Sequence, residues 1–164
     1  MARIFIAIRF NDDVKNTFVN IQNALRIKGV RGIYCPYNNL HLTLAFIGEK
    51  YDLQNIYKAV SEVTFKPFTM TLGELGTFPT KTGVIWCGIK EKEPVTTVAN
   101  KLHERLAAHD VGFNAMTFYP HISLIRQPST IVTDIDVPET SITVDRLFVM
   151  KSERIDGELV YSEI

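Results

Sequence analysis

Apolar residues along the chain recur with two periods, and the switch between them predicts strands and helices in turn. "RIFIAIRF" (3–10) is an Ile- and Phe-rich strand closed by "NDD", where Asn11 or Asp12 can cap a helix. Val14, Phe18, Ile21 and Leu25 then fall at spacings of four, three and four, a stripe that predicts a helix over about 12–28, stopped by Gly29. "GIYCPYNNLHLTLAFIGE" reads as two extended pieces broken by Pro36 and the Asn pair. A second helix is expected over about 52–63, followed by the glycine-interrupted strand "FTMTLGELGTF", a turn at "PTKTG" and the strand "VIWCGI" (84–89). Glu93-Pro94 opens a third helix running to about His109, since proline suits a first turn. "HISLI", "SITVDRLFVM" and "ELVYSEI" supply the closing strands.

This order contains a repetition. His41 and His121 stand eighty positions apart, and the same offset pairs Ile4 with Val84, Phe5 with Ile85, Gly32 with Gly112, Thr43 with Ser123 and Leu44 with Leu124. A duplicated half, approximately 3–47 and 83–127, is the simplest account. It predicts an α+β fold: one domain over 1–164, with two pseudo-symmetric lobes, antiparallel sheets, helices on the outside and a central cleft.

Strand alternation puts His41 and Thr43 on one face and Leu42 and Leu44 on the other; His121 and Ser123 likewise oppose Ile122 and Leu124. The leucine faces build core, and the repeat turns the two His/hydroxyl faces toward each other. A single histidine in an apolar strand is most often structural. Two at equivalent places of a repeat suit proton transfer, because imidazole gives or takes a proton near neutral pH and two rings can hold opposite protonation states. The Thr43 and Ser123 hydroxyls can donate to non-bridging phosphate oxygens as charge builds on them. This set fits hydrolysis of a cyclic phosphodiester, a reaction that requires no metal.

Composition narrows the ligand. The chain has 164 residues, 46% of them hydrophobic and 22% charged, and a formal net charge of +0. That is ordinary for a globular domain and lacks the broad basic footprint of a duplex-DNA binder. An anionic ligand is therefore held by a few local groups. Cys35 and Cys87 form no CxxC pair and are expected as buried thiols in a reducing cytoplasm. The apolar run "IFIAI" is too short for a signal-peptide core, and nothing approaches the length of a membrane span, so the protein is expected to be soluble and cytoplasmic.

"HLTL" and "HISL", with "RIFIAI", "YNNLHLTLAFIGE", "LGTFP", "VIWCGI" and "PHISLIR" in order, resemble the two-histidine (2H) phosphoesterases. Among these the chain is most similar to the bacterial and archaeal RNA 2′,3′-cyclic phosphodiesterases. The resemblance implies metal-free hydrolysis of a 2′,3′-cyclic phosphate RNA end to a 2′-phosphate, with an associated reverse 2′-5′ RNA ligation, and no cofactor. Carried over, His41 is the proton donor and His121 the proton acceptor. Arg126 matches the arginine that follows the second motif and is expected to reach the phosphate. Strict parity places Arg126 opposite His121, so it must lie past the strand's end or at a bulge. Phe46 holds the corresponding position of the first motif, where core packing competes with a base-stacking, substrate-binding role. Tyr34 stands where an indole is common. The expected partner is an RNA or oligonucleotide with a 2′,3′-cyclic phosphate end, and the expected working unit is a monomer that needs no metal.

Other candidates carry less. His103 and His109, six apart on the third helix, read as solvated or helix-end residues. Trp86 and Phe78 can border the cleft, while Lys81, Lys151 and Arg154 can guide an RNA backbone. A zinc site using both histidines and both cysteines is disfavoured, because by the offset Cys87 pairs with Ala7 and Cys35 with Ala115. Two alternatives stay open: the same chemistry on a small cyclic nucleotide or ADP-ribose cyclic phosphate, and a non-catalytic RNA- or nucleotide-binding module.

Overall fold

Each half of the chain opens with an apolar strand that feeds a helix and returns as the strand carrying a histidine motif. In a computed structural model, which describes residues 2–49, 51–79, 81–114 and 117–164, these are β1 (Arg3–Ile8), α1 (Asp12–Ile27) and β3 (Leu42–Gly48) in the first half. In the second half they are β5 (Val84–Ile89), α3 (Lys92–Ala108) and β6 (His121–Arg126). The short β2 (Ile33–Tyr34) and a 3₁₀ turn (Tyr37–Asn39) lead into β3. Helix α2 (Leu53–Ser61) and strand β4 (Phe68–Thr77) join the halves, and β7 (Ser141–Val144), β8 (Phe148–Ile155) and β9 (Glu158–Glu163) follow. Ala115, which the offset pairs with Cys35, lies outside the described residues.

Local sequence accounts for the helix starts. Asn11 Oδ1 accepts from the Val14 amide at 2.9 Å, and Asp12 and Asp13 place negative charge in the first turn of α1. The α1 stripe Val14, Phe18, Ile21 and Leu25 is buried.

Among the described residues the strands form two antiparallel sheets, β3-β1-β8-β9 and β2-β6-β5-β4-β7. Ile4, Ile6 and Ile8 of β1 and Ile85, Cys87 and Ile89 of β5 enter one continuous core with the helix stripes. The other face of the first sheet carries a smaller cluster, Phe5, Ala7 and Met150, with Phe148 and Tyr161 against it. The architecture is α+β.

Two readings differ from the sequence expectation. "SITVDRLFVM" is not one strand: β7 pairs with β4 and β8 with β1, so the chain changes sheets between Val144 and Phe148. The offset of eighty also slips at the first strands. Thr43 lies opposite Ala7 and Ser123 opposite Trp86, which makes Ala7 and Trp86, seventy-nine apart, the counterparts in register.

Candidate active site

Both motif strands carry a bulge at the same place. β3 pairs Thr43 with Ala7 and Ala45 with Ile6, so Leu44 is skipped; β6 pairs Ser123 with Trp86 and Ile125 with Ile85, so Leu124 is skipped. One extra residue reverses parity. Phe46 therefore lies opposite Phe5, on the face of Thr43, and Arg126 opposite Val84, on the face of Ser123. This is how Arg126, three residues after Ser123, comes to line the same cleft as the histidines. Gly32 makes room beside it: a Cβ there would stand 2.9 Å from the Arg126 carbonyl oxygen.

The cleft encloses about 960 Å³ between the sheets, lined by His41, Thr43, His121, Ser123 and Arg126, with Tyr34, Arg9, Arg154 and Tyr161 around them. An adjoining hollow of about 610 Å³ shares His41, Thr43, Arg126 and Tyr161 and adds Phe46. Phe46 is 41% exposed, so core packing is not its role.

Backbone carbonyls fix the working nitrogen of each imidazole. His41 donates from Nδ1 to the Asn39 carbonyl at 2.6 Å, and His121 donates from Nδ1 to the Tyr119 carbonyl at 2.7 Å. A carbonyl only accepts, so Nδ1 carries hydrogen in both rings and Nε2 is left for chemistry. On neutral His41 the Thr43 hydroxyl donates to Nε2 at 2.7 Å. Asn39 is 5% exposed, and its side chain donates to the Leu159 carbonyl at 2.9 Å, which ties the seat of His41 to β9.

Each ring also packs against aromatics. Phe5 and Tyr161 lie 4.9 and 5.3 Å from His41, centroid to centroid. Phe78 meets His121 edge-on at 4.9 Å, and Trp86 lies at 6.1 Å. Burial pushes both imidazole pKa values below the ordinary 6.5, against the opposing pull of the carbonyl bonds. Positive charge on His121 lowers that of His41 further. The free site thus holds neutral rings at pH 7 and resists carrying two protons at once.

The remaining sequence candidates separate. Arg154 lines the cleft and donates to the Gly157 carbonyl at 3.1 Å, whereas Lys151 pairs with Glu153 at 3.1 Å. Cys87 is buried with its thiol pushed up to about 12; Cys35 is only partly buried, lines the cleft and is pushed up to about 11. Both are poor thiolates at neutral pH. His109 ends α3 and bonds Glu62 at 2.8 Å. His103 is not solvated: it is partly buried and donates from Nε2 to the Leu44 carbonyl at 2.8 Å. Tyr161 and Arg9 lie in no motif of the sequence, and Asn39 stands only in the lead-in "YNNLHLTLAFIGE" with no role attached; their places in the fold bring them to the site.

Comparison with known proteins now identifies the fold family. The family model described as the 2′-5′ RNA ligase superfamily matches residues 22–156. The chain belongs to this superfamily. The stretch matched by the 2′-5′ RNA ligase superfamily contains both histidines, both hydroxyls, Phe46 and Arg126, while Arg9 and Tyr161 fall outside it. An RNA 2′,3′-cyclic phosphodiesterase of Archaeoglobus fulgidus is 35% identical over 63% of this chain and 61% of its own length. One from Thermotoga maritima is 29% identical over 92% of this chain and 86% of its own. The crystal structure of Escherichia coli LigT in apo form is 25% identical and superposes with a TM-score of 0.84, covering 99% of this chain and 94% of that one.

Proposed function

We propose that the chain is a single two-lobed domain, built from a repeated strand-helix-strand unit, that hydrolyses RNA 2′,3′-cyclic phosphate ends to 2′-phosphates. The observation that carries this reading is the pair of imidazoles presenting Nε2 to one cleft, each held through Nδ1 by a backbone carbonyl. The names of the Archaeoglobus and Thermotoga relatives support the substrate class.

In this mechanism His121 Nε2 takes a proton from the attacking water. The water oxygen bonds to phosphorus, the P–O3′ bond breaks, and His41 Nε2 gives its proton to the leaving O3′. Thr43 and Ser123 donate to the non-bridging oxygens, Arg126 neutralises the phosphate, and Phe46 offers a face to a base. An anionic phosphate between the rings raises their pKa values, so binding itself recruits the one proton the pair needs. With an RNA 5′-hydroxyl in place of water, the same arrangement forms a 2′-5′ linkage. The working unit is a cytoplasmic monomer acting on RNA ends.

The test is turnover of a short RNA ending in a 2′,3′-cyclic phosphate, with excess chelator present. Wild type is expected to release the 2′-phosphate isomer, and His41→Ala and His121→Ala to lose about 10²–10⁴-fold each. Binding without turnover, or turnover only after metal is restored, would sink the reading.

A further inference from the structure

In each motif strand the carbonyl of the residue that the ladder skips, on the way to Phe46 or Arg126, is met by a polar side chain from the other half of the chain. The Leu124 carbonyl in β6 accepts from Gln22 Nε2 of α1 at 2.9 Å, and the Leu44 carbonyl in β3 accepts from His103 Nε2 of α3 at 2.8 Å. Gln22 is 3% exposed, one of few buried polar residues, and it also donates to the Cys35 carbonyl at 3.0 Å. His103 is stacked on Phe113, with ring centroids 4.7 Å apart. The neighbouring backbones cross in the same sense: the Cys35 amide donates to the Leu124 carbonyl, and the Asn114 amide to the Phe46 carbonyl, both at 2.9 Å.

We infer that Gln22 and His103 are positioning residues, each latching the bulge of the opposite half so that Arg126 and Phe46 face the substrate. A classic bulge is a local distortion that a strand can lose by slipping one residue, and a slip would send every later side chain to the other face. A side-chain donor at the bulge carbonyl, buried at Gln22 and partly buried at His103, penalises the slip, because the regular strand would carry that carbonyl away from its partner. Neither side chain reaches the reacting atoms. Their effect passes through Arg126 and Phe46 to substrate binding, and leaves the proton transfer of His41 and His121 in place.

The inference rests on the phosphodiesterase reading for its kinetic test only. In cyclic phosphate turnover, Gln22→Met and His103→Leu, which fill the same space without a donor, are expected to raise KM about tenfold with kcat and the pH profile nearly unchanged. The exchanges Gln22→His and His103→Gln restore a donor and are expected to return KM close to wild type. A removal variant that folds with KM unchanged, or one in which kcat falls while KM stays, overturns the latch. So does an exchange variant that folds yet keeps a tenfold higher KM, and this arm decides where a removal variant does not fold. If wild type turns over no cyclic phosphate, the functional reading fails separately. Inorganic phosphate titrated against the same variants then decides the latch at Gln22, by a weakened or an unchanged Kd.

Discussion

At the scale of single residues, the site is governed by where two protons can sit. His41 and His121 are equivalent in residue type and in backbone bond, yet His41 is closed in by Phe5 and Tyr161 and feels the charge of its partner. With both pKa values pushed below 6.5, the free enzyme populates the singly protonated pair on the acid side of neutrality. The expected kcat/KM profile is therefore a bell whose maximum lies below about pH 6.5 and whose alkaline limb falls as pH rises. A profile still climbing at pH 8 would contradict this assignment. Parity alone was enough in the sequence to put His41 beside Thr43 and His121 beside Ser123. The face of Arg126 was not legible, since nothing in "HISLIR" marks Leu124 as the residue the ladder skips.

Elements show the same division between what local pattern dictates and what packing decides. The α1 stripe and its Asn11 cap predict that helix to within a residue, because both signals are local. The break in "SITVDRLFVM" and the one-residue slip of β1 against β5 arise from which sheet each strand joins, and apolar content is blind to that. His103 read as solvated because helical spacing says nothing of a carbonyl offered by another element. Strand β4 supplies a test of element packing. At Gly76, a Cβ would lie 2.3 Å from the Trp86 ring, itself 8% exposed and 6.1 Å from His121. Gly76→Ala must displace the indole that packs beside His121 and is expected to destabilise by about 1–3 kcal/mol, with activity falling more than in a distant variant of equal stability. Matched activity at matched Tm would show that the shelf under His121 tolerates the displacement.

Over the whole molecule, one core runs through both halves: Ile4, Leu42, Ile85 and Ile122 belong to a single buried cluster, and each half sends a side chain into the other's motif strand. Unfolding is accordingly expected as one cooperative transition by calorimetry, and two resolved transitions would mean that the halves are separable. Protonation adds a slope to that stability. The neutral imidazoles are favoured in the folded state, so the unfolded chain binds more protons once pH falls below about 6.5. Tm is expected to drop as pH falls from 7 through 6, levelling below the folded pKa values, and to drop less in His41→Gln. An equal slope in that variant would place the titrating group elsewhere.

The shelf beneath His121 also makes the protein its own optical instrument. Trp86 is the single tryptophan, buried, with its indole N–H unpartnered among the described residues. An excited indole passes an electron to a nearby imidazolium far more readily than to neutral imidazole, so light from this one ring reports the charge on His121. Emission should brighten as pH rises through the lowered pKa of His121, and the step should vanish in His121→Ala. Phosphate bound in the cleft would move that step to higher pH, letting the proton of one cleft histidine be followed in unlabelled protein without any turnover.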